Sequence, residues 1–273
     1  MIKTAARFVQ TERNFTQEVE LPGHRATAEQ LSMMLTRYEF ASRYCKSRRV
    51  LEVACGGGTG LGLLAKVAQS VVGGDITPEN LAIARQTYQG RENIQLVEMD
   101  ALAMPFEDHS FDVLLLLDSL YFLSDFPLFL KEAKRVLKSE GVLILTTVNP
   151  QWKDFNPSRK ASRYYSASDL LELLQRQHWG VEVWGAFEDS EDGWKSAVIS
   201  PLRRIASNLR IIPRSVRAKE LLKRIFYGKL EKFSPEIDEG SAPTGKVIPL
   251  TSADLSSNRH KLLYFVVQRA SGA

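Results

Sequence analysis

Short apolar runs alternate with amphipathic stretches along most of the chain, and this pattern predicts a regular succession of strands and helices. Leu31, Met34, Leu35, Tyr38, Ala41 and Cys45 recur at helical spacing and predict a helix over 29–46. A first strand is expected at 49–54, a helix at 60–68, and a second strand at 70–74 that closes on Asp75. Thr77-Pro78-Glu79 then reads as a helix start, with Thr77 as cap, Pro78 at the first helical position and Glu79 complementing the dipole. Further strands are expected at 94–99, 112–117, 142–148, 181–187 and 262–268. Helices are expected at 125–138 and from a Ser166–Asp169 capping pattern to about Gln177. Val113–Leu117 is apolar at every position, as a strand buried on both faces of a parallel sheet must be. The alternation up to Phe187 therefore predicts an α/β protein built on a doubly wound parallel sheet.

Roughly seventy residues separate the sixth and seventh expected strands, too many for a plain loop. Leu202, Ile205, Ala206 and Leu209 share one helical face, and Ala218, Leu221, Leu222 and Ile225 share another. Residues 188–260 are thus read as a helical insertion, with a Pro-, Ser- and Gly-rich loop over 234–260. The whole chain, 1–273, is expected to form one domain: a core of 29–187 and 262–268, an N-terminal extension over 1–28, and the insertion as a cover over the substrate.

Composition narrows the class. Hydrophobic content of 44% and charge of 25% are ordinary for a globular protein. The N-terminus lacks the apolar core of a signal peptide. The cysteines are Cys45 and Cys55, one of them inside a glycine-rich turn, so a disulfide framework is not expected and a cytoplasmic, reducing setting is. Charge is uneven: 195–232 carries eleven basic residues against Glu220 and Glu231, a net +9, leaving −5 on the rest of a chain whose net charge is +4. That segment is read first as a solvated helical cover, then as a site for an anionic acceptor or a contact with an anionic membrane surface. Nucleic acid comes last, because Phe226, Tyr227 and Phe233 make a poor stacking platform.

The most informative stretch is Val50-Leu51-Glu52-Val53-Ala54-Cys55-Gly56-Gly57-Gly58-Thr59-Gly60. A strand that runs into a glycine turn and opens a helix lets a ligand lie against bare backbone and face free N–H groups. The dinucleotide spacing Gly-x-Gly-x-x-Gly fails, since its third glycine would fall on Leu61 or Leu63. The spacing Gly-x-Gly-x-Gly fits at 56, 58 and 60, with Glu52 four positions ahead. This arrangement resembles the first motif of class I S-adenosylmethionine-dependent methyltransferases, departing from it at Ala54, where that family often has a glycine. The resemblance covers about 29–187 with the terminal strand. It implies a Rossmann-like, seven-stranded sheet with an antiparallel last strand, S-adenosylmethionine as methyl donor and S-adenosylhomocysteine as product. It also implies that Asp75 takes the ribose hydroxyls, that Asp100 with Ala101 reads the adenine, and that Glu52 supports the glycine turn or the methionine amine. Tyr38, Ala54, Ile76, Asp118 and Ser119 complete the expected donor site.

The acceptor is less legible. Asp118-Ser119-Leu120-Tyr121 lacks the paired prolines of enzymes that methylate exocyclic base amines, and neither cysteine sits there to attack a cytosine ring. Asp118 and Asn149 are present, but Val148 stands where a metal-dependent enzyme would carry a second aspartate, so no metal site is expected. What remains is a metal-independent transfer to an O or N of a small molecule, with Asp118, Tyr121, His24 and His260 as catalytic candidates. The alternatives are a non-catalytic scaffold with the same fold, or an enzyme acting on a membrane-associated or macromolecular acceptor. The intact positions 52, 56, 58, 60, 75 and 100 argue against the scaffold.

Overall fold

A computed structural model describes residues 16, 21, 23–188 and 230–270. Two short strands, β1 (Arg25–Ala26) and β8 (Glu231–Lys232), pair antiparallel. The main sheet contains β2 (Arg49–Val53), β3 (Ser70–Asp75), β4 (Ile94–Glu98), β5 (Phe111–Leu117), β6 (Leu137–Val148), β7 (Trp179–Glu188), β9 (Val247–Pro249) and β10 (His260–Arg269). Its order is β4-β3-β2-β5-β6-β10-β7-β9. The pairs from β4 through to β6 are parallel, whereas β10 runs antiparallel to both β6 and β7. The expected last strand over 262–268 thus lies inside the sheet. The count differs from seven: β9 adds an eighth strand, antiparallel to β7, within the stretch read as loop. Its three residues carry no long apolar run, and pairing with the free edge of β7 makes it a strand.

Helices α1 (Ala28–Ser42), α2 (Leu61–Ala65), α3 (Pro78–Thr87), α4 (Phe126–Val136) and α5 (Ala167–Arg176) cover the sheet on both faces. Strand periodicity divides the apolar run of β5 between them. Val113, Leu115 and Leu117 pack with α1, α2 and α3, while Leu114 and Leu116 pack with α4 and α5. Capping sets the ends of several helices. Thr27 accepts from the Gln30 N–H while the Gln30 side chain accepts from the Thr27 N–H, a reciprocal box that starts α1. Ser166 accepts from the Asp169 N–H, as its sequence pattern predicts. At α3 the expected Thr77 cap is absent, and the Asp75 carboxylate accepts the Thr77 N–H instead. Helices α1, α2 and α4 end two to four residues short of their sequence-based limits, at Ser42, Ala65 and Val136.

The tail of the insertion straps α1 to the body. Phe233 exchanges backbone bonds with Gly23 and His24, Ser32 donates to the Pro243 carbonyl, and the Gly245 N–H donates to Thr36. The Ile237 N–H donates to the Thr59 carbonyl. The amphipathic stretches at 202–209 and 218–225, and most of the basic segment, lie outside the described residues. Among the described residues no helix is long and apolar enough to cross a membrane.

Candidate functional site

The chain enters the sheet at β2, builds outward to β4, and then returns to place β5 on the other side of β2. At such a reversal the crossovers diverge and leave a crevice at the carboxyl ends of the strands. A cavity of about 480 Å³ opens there, within the range of small-molecule sites. Its floor carries Glu52 from β2, Asp75 from β3 and Asp100 just beyond β4, with Asp118 just beyond β5. Ala54, Gly56, Ile76, Ala101, Ser119, Tyr121 and Tyr38 line it as well. The structure thus brings together at one cavity most of the residues singled out from the sequence.

Four do not reach it. Gly58 and Gly60 lie behind the turn rather than on the cavity wall. A methyl group on Gly58 would stand 2.9 Å from Ala84, and one on Gly60 would stand 2.1 Å from the Tyr38 ring. These glycines let α1 and α3 close on the turn. His24 is exposed beside the β1–β8 pair, where its carbonyl accepts from the Phe233 N–H. His260 is buried at the start of β10, its ring against Gly185 and its Nε2 3.2 Å from Glu188. Both catalytic histidine candidates are therefore remote from the site. Their expected positions rested on the strands flanking them, and the strap and the sheet register turn both elsewhere.

The backbone also moves the glycine pattern two residues upstream. Ala54, Gly56 and Gly58 have φ of 55°, 57° and 74°, whereas Gly60 has φ −101°. The left-handed triplet is 54-56-58, and Ala54 occupies its first position. A left-handed alanine carries a penalty of roughly 1–2 kcal/mol, offset in part because glycine gains freedom when unfolded. Ala54→Gly is expected to stabilise the chain by about 1 kcal/mol in urea denaturation. A loss of stability would show that the alanine methyl makes a packing contribution larger than the strain.

The floor is held by hydrogen bonds. Asp75 Oδ2 accepts the Gly56 N–H at 2.8 Å and Oδ1 accepts the Thr77 N–H at 2.8 Å, so one carboxylate ties the glycine turn to the start of α3. Burial raises its pKa, against the lowering effect of those N–H groups. Glu52 is 2% exposed; the Tyr38 hydroxyl donates to its Oε1 at 2.7 Å. Its Oε2 is buried and accepts no hydrogen bond among the described residues. Burial pushes this carboxyl up to about 7, although Tyr38 and Arg37 pull it down. Asp100 Oδ1 accepts the Leu102 N–H.

Sequence reasoning missed several members of the site. Arg37, on the inner face of α1, forms an ion pair with Asp118. Nothing in the helical pattern marks it, since an arginine among apolar residues of an amphipathic helix reads as solvated. Lys160 and Ser162 reach the cavity from the 149–166 connection, whose sequence carries no motif that marks a site. That connection also stacks Tyr164 on Tyr121 at 4.8 Å between ring centres. Tyr88, at the end of α3, donates its hydroxyl to the Gly58 carbonyl at 2.6 Å and accepts the Gly62 N–H at 3.1 Å. Tyr88→Phe removes both bonds and is expected to destabilise the chain by about 1–3 kcal/mol in chemical denaturation. An unchanged midpoint would mean that the turn keeps its shape without that hydroxyl.

Residues 51–145 match the family model described as a methyltransferase domain. The chain is 31% identical over 135 residues to a phthiotriol/phenolphthiotriol dimycocerosates methyltransferase of Mycobacterium leprae, covering 48% of this chain and 47% of that one. It is 28% identical over 169 residues to a fatty-acid O-methyltransferase of Mycolicibacterium smegmatis, covering 61% and 60%. The chain spans about half the length of the curated relatives it matches. Among solved structures it is similar to a SAM-dependent methyltransferase of Thermotoga maritima, with a TM-score of 0.56, 16% identity and coverage of 88% and 90%. At that identity the likeness is one of fold.

Proposed function

We propose that the chain, whose residues 51–145 match the methyltransferase-domain model, is a class I S-adenosylmethionine-dependent enzyme that transfers a methyl group from S-adenosylmethionine to an O or N of a small-molecule acceptor. The observation that carries this reading is the set of three carboxylates, Glu52, Asp75 and Asp100, at adjacent strand ends around one cavity with the Gly56 turn. The donor fits the chemistry of that set. Asp75 keeps lone pairs for the ribose hydroxyls, Asp100 and Ala101 sit where an adenine edge can be read, and the unpartnered Glu52 Oε2 suits an ammonium. When bound, the donor supplies an electrophilic methyl carbon on a sulfonium. The protein's task is then alignment of the acceptor and removal of its proton.

In this reading Met34, Leu117, Tyr121, Phe122 and Leu123 of the cavity lining face the acceptor together with Arg37 and Asp118, the last taken out of the donor site to which the resemblance assigns it. The apolar members, and the lipid acceptors in the relatives' names, support a hydrophobic acceptor. Two free buried thiols, Cys45 and Cys55, suit reaction in the cytoplasm. The whole chain acts as one domain in this reading. The reading itself is tested by calorimetry with S-adenosylmethionine and S-adenosylhomocysteine. Binding of neither would favour a scaffold that kept the fold.

A further inference from the structure

Resting on the methyltransferase reading, we infer that the Arg37–Asp118 pair is the acceptor site, and that it selects an uncharged hydroxyl on a hydrophobic body, with Asp118 taking its proton. Arg37 is 6% exposed and reaches Asp118 from α1 across the cavity. Asp118 is fixed independently from the sheet: its N–H donates to the Thr146 carbonyl and hydroxyl, both at 3.0 Å. Its φ is 53°, a conformation aspartate and asparagine tolerate better than most side chains. Its Oδ1 accepts no hydrogen bond among the described residues. A carboxylate offers about four lone-pair sites, so one guanidinium contact leaves room for an acceptor O–H.

The charge pattern sets the class of head group. The paired guanidinium and carboxylate are close to neutral together. An acceptor carboxylate would meet the Asp118 charge, and an ammonium would meet the Arg37 charge, each desolvated in the cavity. An alcohol or phenol meets neither penalty and donates its O–H to the carboxylate. Glu52 and the exposed Lys160 also line the cavity, Glu52 engaged with Tyr38. Met34, Leu117, Tyr121, Phe122 and Leu123 then receive the apolar body. In the transfer, the hydroxyl oxygen forms a bond to the methyl carbon. The sulfur–methyl bond breaks with its electron pair passing to sulfur, and the hydroxyl proton passes to Asp118. Arg37 is a positioning residue that holds the carboxylate towards the acceptor.

The test compares dodecanol, dodecanoic acid and dodecylamine, and naphthol, naphthoic acid and naphthylamine, as acceptors with the full chain and S-adenosylmethionine. The readout is S-adenosylhomocysteine formed, with donor affinity measured separately by calorimetry. Turnover of the hydroxyl compounds at least tenfold above the acids and amines is expected. Asp118→Asn, which suits the left-handed backbone, should lower kcat on the order of a hundredfold with donor affinity within a few fold. Arg37→Gln should lower kcat with the same split, and Arg37→Lys should restore part of it. Preference for an acid or amine, turnover of none of the six with donor bound, or loss of donor affinity in the Arg37 variants would overturn the inference. Failure of the unmodified chain to bind the donor would instead overturn the reading beneath it.

Discussion

Replacing Asp75 with alanine is expected to weaken S-adenosylmethionine binding by roughly ten- to a hundredfold, the consequence of losing a charge-assisted hydrogen bond of about 1.5–3 kcal/mol. A value towards the upper end is expected. Asp75 lines the cavity and also holds the Gly56 and Thr77 N–H groups, so under the proposed donor site the variant would lose an acceptor for the sugar and also loosen the glycine turn. Asp75→Asn keeps one carbonyl acceptor and should lie between the two. Calorimetric titration with S-adenosylmethionine and S-adenosylhomocysteine reads both variants. Unchanged affinity in the alanine variant would remove Asp75 from the site.

Glu52→Gln is expected to stabilise the donor-free chain at alkaline pH while weakening donor binding. Burial pushes the Glu52 carboxyl from 4.5 up to about 7. The folded state therefore binds this proton more tightly than the unfolded state does. Stability contributed by the protonated form is complete below pH 4.5 and is lost as pH rises towards 7. The ionised carboxylate then costs about 3 kcal/mol at pH 8, and glutamine avoids that cost while keeping an acceptor for Tyr38. The gain of the variant over the native chain should be near zero at pH 4.5 and reach about 2–3 kcal/mol at pH 8 by denaturant titration. Donor binding runs the other way, because an ammonium at Oε2 requires the carboxylate. Affinity should rise up to about tenfold per pH unit below 7 and level off above it. A pH-independent donor affinity between about pH 5 and 8 would separate Glu52 from the donor.

The two predictions draw on opposite uses of burial. Asp75 has donors on both oxygens, from Gly56 on Oδ2 and from Thr77 and Asn80 on Oδ1, so its charge is stabilised without a ligand while Oδ2 keeps a lone pair. Glu52 has a donor on one oxygen only, and burial makes its ionised form costly. Stability forgone at Glu52 is what a donor's ammonium would recover.

The sequence by itself determined the elements whose information is local. An unbroken apolar run made β5 a doubly buried strand, and the turn after β2 announced itself through its glycines. Asp75, Asp100 and Asp118 stand where expected strands stop, the places at which such sheets take ligands, while Glu52 and the expected roles of the carboxylates came from the resemblance to the methyltransferase motif. Tertiary structure alone decided the rest, because its determinants are long-range. The 54-56-58 register of left-handed residues depends on how α1 and α3 press on the turn, which a run of glycines with an alanine before it does not disclose. Strand β9 exists because β7 offers it an edge. His260 is drawn into the sheet by its register opposite Glu188, away from the cavity that its position in the chain suggested. Arg37 and Asp118 are eighty-one residues apart and meet only when α1 packs over the switch point. A pair of opposite charges carries no periodicity and no local signal, so only the folded chain brings them into one site.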